Sequence, residues 1–115
     1  MRTLNRSALI VRPKTPFIDW LHALPDESNR ELTLDDLRRE NTVYLLDEVD
    51  TVEQAIEQIT PFVEDVFSEE LAGWWTVESD WPKPLSIKSF LEWFDLELNT
   101  VLADVGTEPL RVGKL

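Results

Sequence analysis

His22 is the single histidine of the chain, and it stands three residues after Asp19. On a helix that spacing brings two side chains together, and a His–Asp pair is the base half of a nucleophilic catalytic set. Completing the set takes a nucleophile and an oxyanion site. Ser7, Ser28, Ser68, Ser79, Ser86 and Ser89 are available, but none lies in the Gly-flanked elbow that presents a nucleophilic serine. A helix-surface or half-buried histidine is the reading that fits.

Carboxylates cluster at Asp47-Glu48-Asp50, at Glu69-Glu70 and at Glu92 with Asp95. Oxygen ligands of this kind suit hard cations such as Mg²⁺. The first group is best placed, because it follows the apolar run Thr42–Leu46 and precedes a helix start, where open sheets put ligands. Against a metal stand the lack of an Asp-x-Asp-x-Asp-Gly loop and the use of Asp50 as a helix cap. Zinc is disfavoured by one histidine and no cysteine. Gly73, Gly106 and Gly113 are too dispersed for a phosphate-cradling loop. The expectation is therefore a non-catalytic protein with no metal and no cofactor. A small carboxylate- or metal-dependent enzyme on Asp47, Glu48, Asp50 and His22 is the rival.

The five tryptophans are the most distinctive feature. Trp20 and Trp93 fall on helical stripes. Trp74, Trp75 and Trp81 lie in or beside a segment that also holds Pro82 and Pro84. Indoles on a stiff loop offer large contact area at small entropic cost, as in binding hot spots. The alternative is that they cover the end of a small core. The trio Trp74, Trp75 and Trp81, with Asp47, Glu48 and Asp50 as acidic neighbours, is the candidate partner-binding surface.

Charge points to the kind of partner. Eleven Lys+Arg against 23 Asp+Glu leave a net charge of −12 over 115 residues. Residues 1–24 carry +3, residues 25–80 carry −14 and residues 81–115 carry −1. Phosphate contacts need a clustered cationic face, so nucleic acid is excluded as a partner. An acidic face suits a basic protein or peptide, whose approach it would accelerate. An antitoxin- or immunity-like inhibitor is one form of this, and mimicry of a DNA phosphate array is another. The second needs evenly spaced carboxylates, which Glu53, Glu57 and Glu64 only partly supply.

The elements that must position these residues can be read from periodicity. Ser7–Val11 is a short β-branched apolar run, expected as a buried strand. Thr15 and Pro16 then open a helix with Phe17, Trp20, Leu21 and Leu24 on one stripe, stopped by Pro25. Residues 25–33 read as loop, Thr33 caps a short helix through Arg39, and Thr42–Leu46 is the second strand. Asp50 or Thr51 caps the longest helix, which carries Val52, Ala55, Ile56, Ile59, Phe62, Val63, Val66 and Phe67 in phase. At Pro61 either the helix kinks or Thr60 caps a second one with Pro61 at its first position, and the unbroken phase favours one kinked helix ending near Leu71 with Gly73 as its stop. Ser86 caps the last helix, on Ile87, Phe90, Leu91 and Phe94. Leu96, Leu98, Val101 and Ala103 alternate as a final strand whose register slips near Asn99-Thr100, through a bulge or a turn.

The order β-α-(short α)-β-α-α-β predicts an α+β (or small α/β) domain over residues 1–106, with helices on a sheet of about three strands. Residues 107–115 are expected to be a loose tail. A sheet this thin leaves an edge through which a homodimer could form. No run approaches the length of a membrane span or a secretory core, so the expectation is a cytoplasmic chain without a membrane partner.

Overall fold

The apolar run at Ser7 extends further than its composition suggests. In the computed structural model, which describes residues 1–115, it forms the strand Ser7–Pro13 (β2), after a shorter strand Arg2–Leu4 (β1). The chain continues through α1 (Thr15–Ala23), a 3-10 segment Glu27–Glu31 and α2 (Leu34–Arg38) to β3 (Val43–Leu46). Next come α3 (Val52–Ile59), a 3-10 turn Thr60–Phe62 and α4 (Val63–Ala72). A 3-10 turn Glu78–Asp80, α5 (Ile87–Trp93), β4 (Phe94–Asn99) and β5 (Leu102–Asp104) complete it. No helix is long and apolar enough to cross a membrane.

The fold is α+β, with every strand pair antiparallel. β2 is the middle of a three-stranded sheet ordered β3-β2-β4, with Leu9 opposite Tyr44 on one side and Leu98 on the other. Leu9 and Val11 alternate into the core, while Ile10 and Arg12 face the other way and are half-buried. A separate two-stranded ribbon joins β1 to β5, with Thr3 opposite Ala103.

Several expectations need correction. The alternation Leu96–Ala103 is two strands in two sheets rather than one: β4 pairs with β2, the chain turns at Thr100-Val101, and β5 pairs with β1. Phe94 opens that strand instead of closing the helical stripe before it. Pro61 ends a helix rather than kinking one. It has no N–H to continue the α3 ladder, and the last carbonyl served, that of Ile56, accepts from both the Thr60 backbone N–H and Thr60 Oγ1, the latter at 2.6 Å. The short 3-10 turn keeps the stripe in phase, so Ala55, Ile59, Val63, Val66 and Phe67 are all buried. Phe62 leaves that stripe and is 60 % exposed. Gly73 does cap α4, but in a right-handed conformation (φ −62°) that any residue could adopt.

The caps explain the helix starts. Thr51, not Asp50, caps α3: its side chain accepts from the Gln54 N–H, and Gln54 answers on the Thr51 N–H, a reciprocal capping box. Thr33 and Asp36 make the same arrangement at α2, and Ser86 caps α5 through the Ser89 N–H. At α1 the helix takes in Thr15, and Lys14 holds the cap position without a side-chain bond.

Aromatic rings join the helices to the sheet. Phe17 meets Trp20, Trp93 and Phe94 edge-on, and Phe67 meets Phe90 and Phe94 in the same way, with centroids 5.4–5.9 Å apart. These geometries align positive ring edges with negative faces. At the opposite end, Ser7 is the one fully buried polar side chain. Its hydroxyl donates to the Val49 carbonyl at 3.1 Å and accepts from the Val49 N–H at 3.0 Å, clasping the β3–α3 turn to the sheet. Ser7→Ala strands both Val49 groups, so urea unfolding is expected to show a loss of roughly 1–3 kcal/mol at an unchanged m-value.

Candidate functional site

The indole trio does not act as a unit. Trp75 and Trp81 are half-buried and pack on the core, and their polar ends are committed. Trp75 Nε1 donates to Asp80 Oδ2 at 3.0 Å and Trp81 Nε1 donates to the Trp75 carbonyl at 2.8 Å. Trp20 Nε1 reaches the same turn at the Asp80 carbonyl, 2.9 Å away. Three indole N–H groups thus fasten residues 75–81 to α1 and to one another. Trp74 is the member that faces solvent, at 36 % exposure.

Trp74 stands on the wall of a cleft of 410 Å³. The C-terminal end of α4 supplies Glu69, Glu70 and Gly73 to one side, and the segment between α2 and β3 supplies Glu40, Asn41 and Thr42 to the other. Pro13, Phe17, Leu37 and Phe94 complete the lining from the core side. No Lys or Arg lines it. Nearby cations are already paired: Arg38 contacts Asp95 and the carbonyl of cleft-lining Pro13, and Arg39 contacts Asp36. Both α2 and α4 end at the cleft, and a helix C-terminus carries partial negative charge that adds to the carboxylates.

Two details make this more than an acidic surface. Glu70 Oε2 accepts a 2.9 Å bond from the Tyr44 hydroxyl, which ties α4 to β3 beside the cleft. Burial raises the Glu70 carboxyl above its ordinary range, against the lowering effect of the Tyr44 and Thr42 hydrogen bonds, and the same burial pushes the Tyr44 phenol up. The second detail is Asn41. Its Nδ2 donates to the Arg38 carbonyl at 2.9 Å, which leaves Oδ1 buried and without a donor from the protein. The cleft is thus a set of acceptors beside an aromatic face, suited to a cation that brings N–H groups.

Glu70 also sets a pH dependence. A carboxyl with a raised folded-state pKa favours folding where it is protonated, and that contribution disappears as pH rises through the folded value. Glu70→Gln removes the buried charge and can still accept from Tyr44. Thermal melts should therefore give a higher Tm for the variant at pH 7–8, with the gap closing as pH falls below about 4. Asp36 behaves in the opposite sense: donors from Thr33 hold its carboxyl low, so its stabilisation is lost as pH falls.

The other expected groups are dispersed. His22 Nε2 donates to the Leu32 carbonyl at 2.9 Å, fastening the 3-10 segment to α1 instead of engaging Asp19. Asp47, Glu48 and Asp50 are exposed in the β3–α3 turn and do not line the Trp74 cleft. No three Asp, Glu or His side chains converge on a point where a metal ion could be held. Asp95 is engaged with Arg38 and Lys14. Glu40 and Asn41 were not singled out by the sequence, because only the folded chain brings the end of α2 against the end of α4. No protein-family model, curated protein or solved structure matches this chain.

Proposed function

We propose that this is a non-catalytic interaction protein that binds a basic segment of another protein through the Trp74 cleft. The observation that carries the reading is one exposed indole on the wall of a concave site lined by Glu40, Glu69 and Glu70 and by no cation. A lysine or arginine side chain entering there exchanges water for carboxylates, the Asn41 carbonyl oxygen and the indole face. The −14 concentrated in residues 25–80 accelerates the encounter over a longer range. An inhibitor of a basic protein, in the antitoxin or immunity sense, is a natural form of this activity.

Oligoarginine and oligolysine peptides titrated at two ionic strengths test the proposal. Tight binding at low salt that weakens as salt rises is expected, because exposed charges are screened. The double variant Glu69→Gln/Glu70→Gln should lose roughly tenfold in affinity, the sum of two modest ion pairs. Affinity indifferent to both salt and the double variant would overturn the reading.

A further inference from the structure

β3 pairs with β2 alone, so its other side is a free sheet edge. Soluble proteins guard such edges with charged side chains, proline or bulges. The opposite edge strand, β4, is guarded in this way: Asp95 and Glu97 lie on its exposed face and pair with Lys14, Arg38 and Arg12. β3 reads Val43-Tyr44-Leu45-Leu46, without a charge, glycine or proline. Val43 and Leu45 are 52 % and 53 % exposed. A groove of 350 Å³ runs between β3 and the α3–α4 pair, with Tyr44, Leu45, Leu46, Gln58, Phe62 and Val66 among its lining. Gln58 Oε1 in that groove is buried without a donor, as Asn41 Oδ1 is in the Trp74 cleft.

We infer that the β3 edge accepts an extended basic segment of a partner protein as an added strand, whose cationic end enters the Trp74 cleft. This deepens the proposed function and rests on it. An added strand sends alternate side chains to opposite faces, so one set would lie beside Val43 and the other would enter the groove that Leu45 borders. Thr42 immediately precedes β3 and also lines the cleft, so a strand following β3 runs directly into it. Charge selects the occupant. Carboxylates frame the edge at both ends, Glu69 and Glu70 by the cleft and Asp47 and Glu48 beyond Leu46. A second copy would bring the same carboxylates against them, whereas a basic segment neutralises them.

The test uses the full chain and a short acetylated peptide alternating valine and threonine with arginine at each end. Its control has the same sequence with alternate backbone nitrogens methylated, which keeps the charge and removes the strand-pairing donors. The parent peptide is expected to bind at least tenfold more tightly than the control, and to slow exchange of the β3 amides not bonded to β2. Leu45→Lys, at an exposed position that should not affect folding, is expected to weaken the parent peptide by a similar factor. Equal binding of the two peptides overturns the added strand and leaves the basic-partner reading standing. So does failure of both peptides where oligoarginine binds. If oligoarginine fails as well, the basic-partner reading falls and this inference with it. Dimerisation without peptide that protects the β3 amides assigns the edge to a second copy and overturns the inference.

Discussion

Trp74→Ala is expected to weaken oligoarginine binding by roughly 30-fold, the effect of losing an interface hot spot of about 2 kcal/mol. The size follows from position. The indole is exposed enough to meet a ligand and forms a wall of the cleft that the carboxylates charge. Truncation removes the aromatic face and opens the site to water, which weakens the remaining ion pairs. Stability is expected to fall as well, by roughly 1–3 kcal/mol, since the ring is only 36 % exposed and its covered part is apolar, so affinity is compared at a temperature where both proteins are folded. Trp75→Phe supplies the contrast. It loses the 3.0 Å bond to Asp80 while keeping an aromatic ring on the core, so it should lower Tm and leave affinity within about twofold. Isothermal titration with thermal melts on both variants separates the two roles, and equal affinity losses in both would refute the assignment to Trp74.

That contrast marks how far the sequence could be read. Local signals were legible where local physics decides: Thr33, Thr51 and Ser86 as caps, the stripe from Ala55 to Phe67, and β-branched runs as strands. The composition also identified Trp74 as a surface candidate and Glu69-Glu70 as a carboxylate pair. It could not separate Trp74 from Trp75, because their difference lies in where Asp80 and the core fall. β1 is illegible in the sequence for a similar reason. Arg2-Thr3-Leu4 has no apolar signature, and it is a strand only because Leu102–Asp104 returns beside it. Pro61 showed that something breaks but not how, since a kink and a turn keep the same phase. The cleft itself is wholly tertiary: α2, β2, α4 and β4 meet there, and no spacing along the chain announces it.

The largest effect on the fold is expected at Phe67. Phe67→Ala should cost about 3–5 kcal/mol, a substantial part of the roughly 5–15 kcal/mol that holds a domain of this size together. The ring is fully buried and lies between 5.4 and 5.8 Å from those of Phe90, Trp93 and Phe94, so its removal leaves a cavity bordered by rigid neighbours. Those neighbours belong to α5 and β4, and Phe94 also lines the Trp74 cleft, so binding should weaken with stability. Phe62→Ala is the control, five residues earlier and 60 % exposed, with an expected change within about 0.5 kcal/mol. Chemical denaturation with a shared m-value resolves the pair. Similar midpoints for the two variants would show that the aromatic cluster does not anchor the domain.

The position of β2 has a consequence for synthesis. This central strand takes its longer partner from residues 94–99, about 90 positions later. At a translation rate of about 5–20 residues per second, the nascent Ser7–Pro13 segment waits several seconds for that partner to leave the ribosome. During that interval β3 is the only strand it can pair with, and the apolar face it later shares with β4 is open to the cellular milieu. Slowing elongation between residues 47 and 93 would lengthen the exposure, and a ribosome-associated holdase would matter most in that window.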